Sequence, residues 1–282
     1  GSAAPTPRWC SAVTRSDLPG PAPAASPQNM KIAVCIKQVP TREWQPRLTD
    51  DRRWVRDADI SYEMNEPDAY ALEEGLRLKE KHGGEVVVVS AGPARVQQVM
   101  REALARGADR AIHVQDDALG TADAWAGAVA VAEAVKSEAF DLVLTGLQSD
   151  DQGHGQFGPV LAERLGIPHS TIIMEVQIAD GRLRAKRELE GGWFQYVSMP
   201  LPALLTIQSG INQLRYATLK GIMAAKKKEL RVVTPAAPVA SRISVLSLSV
   251  PQKSKQTAMI GGSPAEAAKE LVRRLREEAR AL

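Results

Sequence analysis

The sequence predicts an α/β protein with a doubly wound, mostly parallel sheet, an antiparallel extension and a C-terminal arm. Three observations support this fold class. Short β-branched apolar runs, such as KIAVCIKQV at residues 31–39, alternate with amphipathic stretches of helical length. After about residue 170 four strand-like runs follow one another without helices. From about residue 220 the chain becomes rich in Lys, Pro and Ser before a final amphipathic stretch.

The elements follow one another in a regular order. A first strand leads through a polar loop to a helix that Asp68 is expected to cap and that ends near His82. The next predicted elements are strand 85–90, helix 95–106, strand 110–114, helix 122–137, strand 141–145 and helix 158–165. An antiparallel meander of strands 172–178, 182–188, 193–197 and 203–207 then completes the core, with the apolar run 199–205 as a buried edge strand.

Composition narrows the function. The chain has 282 residues, 44% hydrophobic and 24% charged, with a formal net charge of only +3 and dispersed Lys and Arg. This balance makes nucleic acid a poor candidate, and the longest apolar runs fall far short of the ~20 residues that span a bilayer, so a soluble globular protein is expected. The two cysteines, Cys10 and Cys35, predict no disulfide framework and no metal cluster, and they favour a reducing cytoplasm.

Three regions are expected. Residues 1–29, rich in Ala, Pro and Ser, are predicted to be a disordered leader or tag. Residues 30–231 form the α/β domain, and residues 232–282 form the arm with its terminal helix. In a doubly wound sheet, ligands bind at the carboxyl ends of the strands, so the site is expected in the loops there.

The loop between residues 146 and 158 is the most informative of these. Its glycines let the backbone approach a phosphate, and the amides and dipole of the following helix favour an anion. The candidate ligand contacts in it are Asp151, Gln152, Gly153, His154, Gly155, Gln156, Phe157 and Gly158. A flexible, acid-capped connection is the alternative. Asp150 with Asp151 is a poor catalytic pair, because sequence neighbours seldom face the same atom, and His154 has no nucleophile or metal partner.

Several motifs resemble the beta subunit of electron transfer flavoproteins, over nearly the whole chain after Met30. They are CIKQVP at 35–40, MN at 64–65 with ALEE at 71–74, SAGP at 90–93, GADR at 107–110, AKRELEGG at 185–192 and RYATL at 215–219. The resemblance implies an adenine nucleotide alpha-hydrolase-like sheet and an electron carrier that is redox-active only as a heterodimer. An alpha subunit would share the redox FAD, so no catalytic residue and no metal are expected.

The resemblance also implies specific contacts. The electron donors would be acyl-CoA or related dehydrogenases, which Leu219 would anchor through a recognition loop near residues 213–228. The electron acceptor would be of the electron transfer flavoprotein-quinone oxidoreductase (ETF-quinone oxidoreductase) type. The nucleotide site, holding AMP, would consist of Cys35, Asn65, Ala91, Asp151, Gln156 and Phe157. Residues 120–123 partly resemble the loop that binds a second FAD in bifurcating relatives, which adds Asp123.

The nucleotide itself stays open at this point. Phe157 stands where AMP-holding relatives have Thr and bifurcating ones have Val, so AMP and a second FAD are both retained. Two other classes share the expected sheet: an ATP-using enzyme of the alpha-hydrolase type and a homodimeric nucleotide-sensing stress protein. An enzyme of the first class should have a Gly-rich phosphate loop after the first strand, where this chain has Val-Pro-Thr at residues 39–41. A protein of the second class would have no use for the recognition loop and the arm.

Overall fold

A computed structural model describes residues 11–12, 29–58, 60–179, 182–251 and 257–282. Apart from residues 11, 12 and 29, the predicted leader lies outside the described residues. The chain divides into a main unit, Gly1–Gln45 with Arg56–Val245, and a small second unit, Pro46–Val55 with Leu246–Leu282.

The main unit is built on one large sheet. In the described residues its ten strands are β1 (Ser11–Ala12), β2 (Met30–Cys35), β5 (Gly84–Gly92), β6 (Arg110–Gln115), β7 (Leu142–Gly146), β8 (His169–Ala179), β9 (Arg182–Glu188), β10 (Phe194–Pro200), β11 (Ala203–Ile207) and β12 (Leu230–Val233), in the order β1-β10-β9-β8-β11-β7-β2-β5-β6-β12. In this spatial order, each pair of neighbours from β8 through β11, β7, β2, β5 and β6 to β12 is parallel. The pairs β8–β9, β9–β10 and β10–β1 are antiparallel. The α/β class and the antiparallel extension are confirmed.

Helices cover the parallel part of the sheet on both faces. One face carries α1 (Glu66–His82), α2 (Gln97–Arg106) and α5 (Leu219–Ala225), and the other carries α3 (Ala124–Val135) and α4 (Phe157–Leu165). Alternate residues of β2 show the division, because Ile32 and Val34 pack under α1 whereas Ala33 and Cys35 pack under α3 and α4. Two apolar cores therefore fix the ends of the parallel strands.

Two predicted elements near the site start or end elsewhere. The strand expected over residues 31–39 is interrupted at Ile36 and Lys37, and its continuation, β3 (Gln38–Pro40), pairs instead with β4 (Tyr62–Met64). The first helix begins at Glu66 behind Asn65, so the expectation that Asp68 caps it is wrong. Proline at the second helical position has no N–H to lose there, which favours the earlier start.

Two predictions for the last run of the expected meander are also wrong. β11 is a central strand, parallel to β7 and β8, and all its residues are buried, so it is neither an edge strand nor part of a meander. An unbroken apolar run is typical of a parallel strand covered on both faces. β12 was not predicted, and it extends the sheet beside β6 within the stretch assigned to the domain end and the arm.

The second unit contains the predicted C-terminal helix. This helix, α6 (Pro264–Glu277), begins with a reciprocal capping box between Ser263 and Glu266. In the same unit the backbone N–H of Leu248 donates to the carbonyl of Arg52 at 2.7 Å. Throughout the described residues, every helix is too short or too polar to cross a membrane.

Candidate functional site

A cleft lies at the carboxyl ends of the central strands, where the sequence predicted a ligand site. Its floor is formed by Cys35 of β2, Ala91 of β5 and Thr145 and Gly146 of β7. It encloses about 820 Å³ of empty space when the open solvent at its mouth is included. One wall is the start of α3, and the other is the loop of residues 147–157 that leads into α4.

Asp68 is the buried carboxylate of the floor. It accepts hydrogen bonds from the backbone N–H groups of Lys37, at 2.7 Å, and Gly146, at 2.9 Å, and so links the ends of two strands. Burial raises its pKa to about 7, against the lowering effect of these bonds. Residue 146 is glycine for a steric reason, because a Cβ there would lie 2.3 Å from Asp68 Oδ1. Burial and the nearby Asp68 also raise the pKa of the Cys35 thiol.

Asn65 holds the cleft loop in place. Its Nδ2 donates to the carbonyl of Gln148 and its Oδ1 accepts from the N–H of Asp150, both at 2.9 Å. The side chain is 1% exposed, so these bonds satisfy an amide that has little access to water. Asn65 lines the cleft as predicted, but its polar atoms are engaged with the loop backbone.

Lys37 supplies the positive charge beside this loop. Its Nζ lies 2.7 Å from Asp151 Oδ1 and also bonds to Gln152 Oε1 at 3.1 Å and to Ser149 Oγ at 3.3 Å. Burial opposes ionisation of Asp151, but the ion pair with Lys37 outweighs it and lowers the pKa of the carboxyl. Asp151 and Gln152 therefore bind Lys37 instead of lining the cleft.

The two helix starts that face the cleft differ in capping. Asp123 caps α3 by accepting from the N–H of Ala126 at 2.8 Å. Gln156, at the cap position of α4, makes no such side-chain bond in the part of the chain described. Gly155, just before it, has φ of +61°, a left-handed conformation that glycine adopts without strain. The first turn of α4 therefore presents N–H groups to an acceptor from outside the helix.

Phe157 fills one side of the cleft. A Cβ added to Gly127 of α3 would lie 3.8 Å from the Phe157 ring, which places the ring in van der Waals contact with α3. Gly158, the next residue, packs on the sheet, where a Cβ would lie 2.5 Å from Thr206 Cγ2. Gly158 thus allows α4 to approach β11 closely and does not line the cleft.

The structure brings most of the predicted site residues together. Those that line the cleft are Cys35, Asn65, Ala91, Asp123, His154, Gly155, Gln156 and Phe157; those that do not are Asp151, Gln152, Gly153 and Gly158. Sequence reasoning missed Lys37 and Asp68 as cleft residues. The position of Lys37 directly after the first strand was an available signal, whereas the inward orientation of Asp68 depends on the helix starting three residues earlier than expected. In the residues described, no His, Cys, Asp and Glu cluster suits a metal.

The predicted recognition loop carries exposed apolar side chains and is held to α1 by ion pairs. Leu219 is 77% exposed and Tyr216 88% exposed. The loop is tied to α1 by Arg215, which pairs with Glu73 at 2.8 Å and with Glu80 at 2.6 Å. Glu73 is buried, so this pair is better shielded from water than an ordinary surface pair.

Comparisons with known proteins agree with these features. The electron transfer flavoprotein domain family matches residues 54–238. The electron transfer flavoprotein subunit beta of Methylophilus methylotrophus is 38% identical over 88% of this chain and 98% of that protein. The chain belongs to the electron transfer flavoprotein family. The beta subunits of Syntrophomonas wolfei, 42% identical over 79% of this chain and 86% of that protein, and of Homo sapiens, 35% identical over 88% and 97%, are similar in the same way. These matches confirm the resemblance indicated by the motifs: the chain is an electron transfer flavoprotein beta subunit, an electron carrier.

Proposed function

We propose that this chain is the nucleotide-holding beta subunit of a heterodimer that carries electrons from a dehydrogenase to a downstream acceptor. When bound, FAD shared with an alpha subunit supplies the redox chemistry. The residues of this chain bind a nucleotide, support the alpha subunit and present a docking loop. Cytoplasmic location and a quinone oxidoreductase-type acceptor remain predictions from the sequence.

The uncapped start of α4 is the observation that carries nucleotide binding. Within the described part of the chain, Gln156 makes no side-chain cap bond at this helix start, and the start lies next to a left-handed glycine and beside an open cleft, which suits a phosphate group. The start of α3 is already occupied by the carboxylate of Asp123 and is a poorer anion site. We therefore assign the phosphate to Gly155, Gln156 and Phe157 and the base to the more apolar floor.

We favour AMP over a second FAD in this cleft. The Phe157 ring lies against α3 at Gly127 and occupies space on the side where a second isoalloxazine would need room. The test is to purify the heterodimer, release its nucleotides with acid and quantify them by chromatography. One FAD and one AMP per heterodimer supports the assignment. Two FAD and no AMP supports the bifurcating type, and a single FAD with neither AMP nor a second FAD overturns the nucleotide site.

The exposed face of α6 supports an alpha-type partner. None of its residues is buried in the structure, and Leu271 and Val272 are 48% and 40% exposed. An amphipathic helix gains most of its stability from packing an apolar face. The partner proposed to cover this face is the alpha subunit. A chain that remains monomeric and flavin-loaded at micromolar concentration without that partner would contradict the assignment.

Leu219 is proposed as the anchor to the dehydrogenase. An apolar side chain that is 77% exposed, on a loop held by the ion pair between Arg215 and Glu73, is typical of an interface residue that contributes much of the binding energy. Leu219→Ala should slow electron transfer at subsaturating dehydrogenase by about tenfold without loss of FAD, as measured by stopped-flow reduction of the flavin. Val232→Ala, at a site 47% exposed on the edge strand β12, is the matched control and should transfer electrons at the wild-type rate. Equal rates for the two variants would contradict docking through this loop.

A further inference from the structure

Asp123 does more than cap α3. Besides the N–H of Ala126, its carboxylate accepts from the backbone N–H of Arg242 at 2.6 Å and of Ile243 at 3.0 Å. Its own N–H donates to Ser241 Oγ at 3.1 Å. Residues 241–243 are therefore fastened, across more than a hundred positions of sequence, to a residue that lines the cleft.

Neighbouring contacts support the same attachment. The guanidinium of Arg242 lies 3.6 Å from the centre of the Trp125 ring, in the first turn of α3. Val239 packs against the apolar core beneath α3 and α4. The main unit ends at Val245, so these contacts hold the last segment of the chain before the second unit begins. We call residues 239–243 the arm root.

We infer that Asp123 is a positioning residue that fastens the arm root to the rim of the nucleotide cleft, so that nucleotide binding and arm attachment stabilise each other. This inference rests on the proposed nucleotide site. Two binding events that share an ordered residue are coupled reciprocally, because each one lowers the entropic cost of the other. The arm carries the helix assigned to the alpha subunit, so the coupling links the contents of the cleft to the segment that meets the partner.

The chemistry of Asp123 suits this role better than direct contact with a phosphate. A carboxylate repels a phosphate, and one oxygen is used by the helix while the other accepts two arm-root donors. Burial opposes ionisation, but the three backbone N–H groups outweigh it and lower the pKa of the carboxyl. A helix cap alone needs a single oxygen, whereas the arm root uses the second.

The decisive variant is Asp123→Ser, because serine retains a helix cap but has no second oxygen for the arm root. Asp116→Ser is the matched control, since Asp116 caps the short helical turn Asp117–Gly120 by accepting from Ala118 N–H at 2.9 Å. Hydrogen exchange at Arg242 and Ile243 should be at least about tenfold faster in Asp123→Ser and unchanged in Asp116→Ser. Wild-type exchange in Asp123→Ser would overturn the attachment.

The coupling is tested with AMP added to the full chain. AMP should slow exchange at the arm root in the wild type but not in Asp123→Ser, and its affinity should fall about threefold or more in the variant. Unchanged AMP affinity overturns the coupling while leaving the proposed function intact. Wild-type protein that binds neither AMP nor FAD overturns the proposed function as well.

A second variant tests the same contact from the arm side. Ile243→Pro deletes one donor to Asp123 at an exposed residue that belongs neither to the cleft lining nor to the cap of α3. It should weaken AMP binding in the same direction as Asp123→Ser, and the double variant should be no weaker than Asp123→Ser alone. Additive losses would show that the two residues act separately and would overturn the inference.

Discussion

A buried carboxylate lies at each end of the parallel sheet, and the groups that surround it differ between the two ends. At the amino end, Glu138 pairs with Arg110 at 2.8 Å, with Lys31 at 2.9 Å and with Arg231. At the carboxyl end, Asp68 is met by backbone N–H groups. Burial raises the pKa of both carboxyls, but the cations lower that of Glu138 to about 2, whereas that of Asp68 stays raised at about 7.

The difference separates a stabilising end of the sheet from a functional one. Glu138 is surrounded by cations that neutralise it, so its ionised form favours the folded state. Asp68 is ionised near neutral pH at a cost, which is common where a protein retains polar groups for a ligand. The cleft opens at the Asp68 end, in agreement with ligand binding at the carboxyl ends of parallel strands.

The largest expected effect is the loss of Glu138. Glu138→Ala removes the closest carboxylate from Arg110 and Lys31, which keep only Glu85 at 3.2 Å and 3.8 Å, and it should lower the free energy of unfolding by about 3 kcal/mol. Urea unfolding at pH 7 measures this change. Glu133→Ala is the control: Glu133 is 59% exposed and 3.8 Å from Arg164, so its loss should cost less than about 1 kcal/mol. Similar losses for both variants would remove the contrast between the two ends.

The pH dependence should have opposite signs at the two ends. The pKa of Asp68 is raised on folding, so its contribution to stability is complete below pH 3.8 and is lost as pH rises to about 7. Glu138, with a folded pKa of about 2, instead loses its contribution as pH falls from 4.5 towards 2 and stays ionised above this range.

Asp68→Asn isolates the effect at the cleft. Between pH 5 and pH 8 the free energy of unfolding should fall by about 2–3 kcal/mol more in the wild type than in Asp68→Asn, since one pKa unit corresponds to about 1.4 kcal/mol. Urea unfolding at the two pH values measures the difference, and subtracting the variant removes the other titrating groups. Equal slopes would mean that Asp68 titrates in the folded state as it does in the unfolded chain.

The sequence predicted the features that depend on local signals and missed those that depend on contacts between distant residues. The glycine-rich loop before α4 was found because glycine spacing and an approaching helix are local signals. The central position of β11 was missed because a short apolar run does not say which strands flank it. The contacts of Asp68 with Lys37 and Gly146, and of Asp123 with the arm root, join residues 31, 78 and more than a hundred positions apart. Such contacts arise from tertiary packing and leave no periodic pattern.

Two glycines of the cleft loop provide a matched pair. Gly153 and Gly155 have φ values of +63° and +61°, and an added Cβ would meet nothing closer than 3.8 Å at either position. Alanine at either should therefore cost about 1–2 kcal/mol of stability through the backbone. Only Gly155 lines the cleft, so Gly155→Ala should also weaken AMP binding by about tenfold in calorimetry, and Gly153→Ala should not. Equal affinities would move the phosphate away from Gly155.

The smallest expected effect concerns Asp151 and distinguishes its two assigned roles. The pair with Lys37 is partly exposed, so Asp151→Asn should change stability by less than about 1 kcal/mol.

If Asp151 only neutralises Lys37, the variant frees a cation beside the cleft. AMP should then bind about two- to threefold more tightly at low salt, and added salt should remove this gain in affinity. If Asp151 contacts the nucleotide directly, as the family resemblance implies, AMP should bind more weakly at every salt concentration. Asp150→Asn removes a neighbouring charge from a residue whose N–H is held by Asn65, and it is the comparison for removal of a charge from this loop. Titration of the three proteins with AMP at two salt concentrations measures the sign, and weaker binding confined to Asp151→Asn would contradict the role as a Lys37 partner.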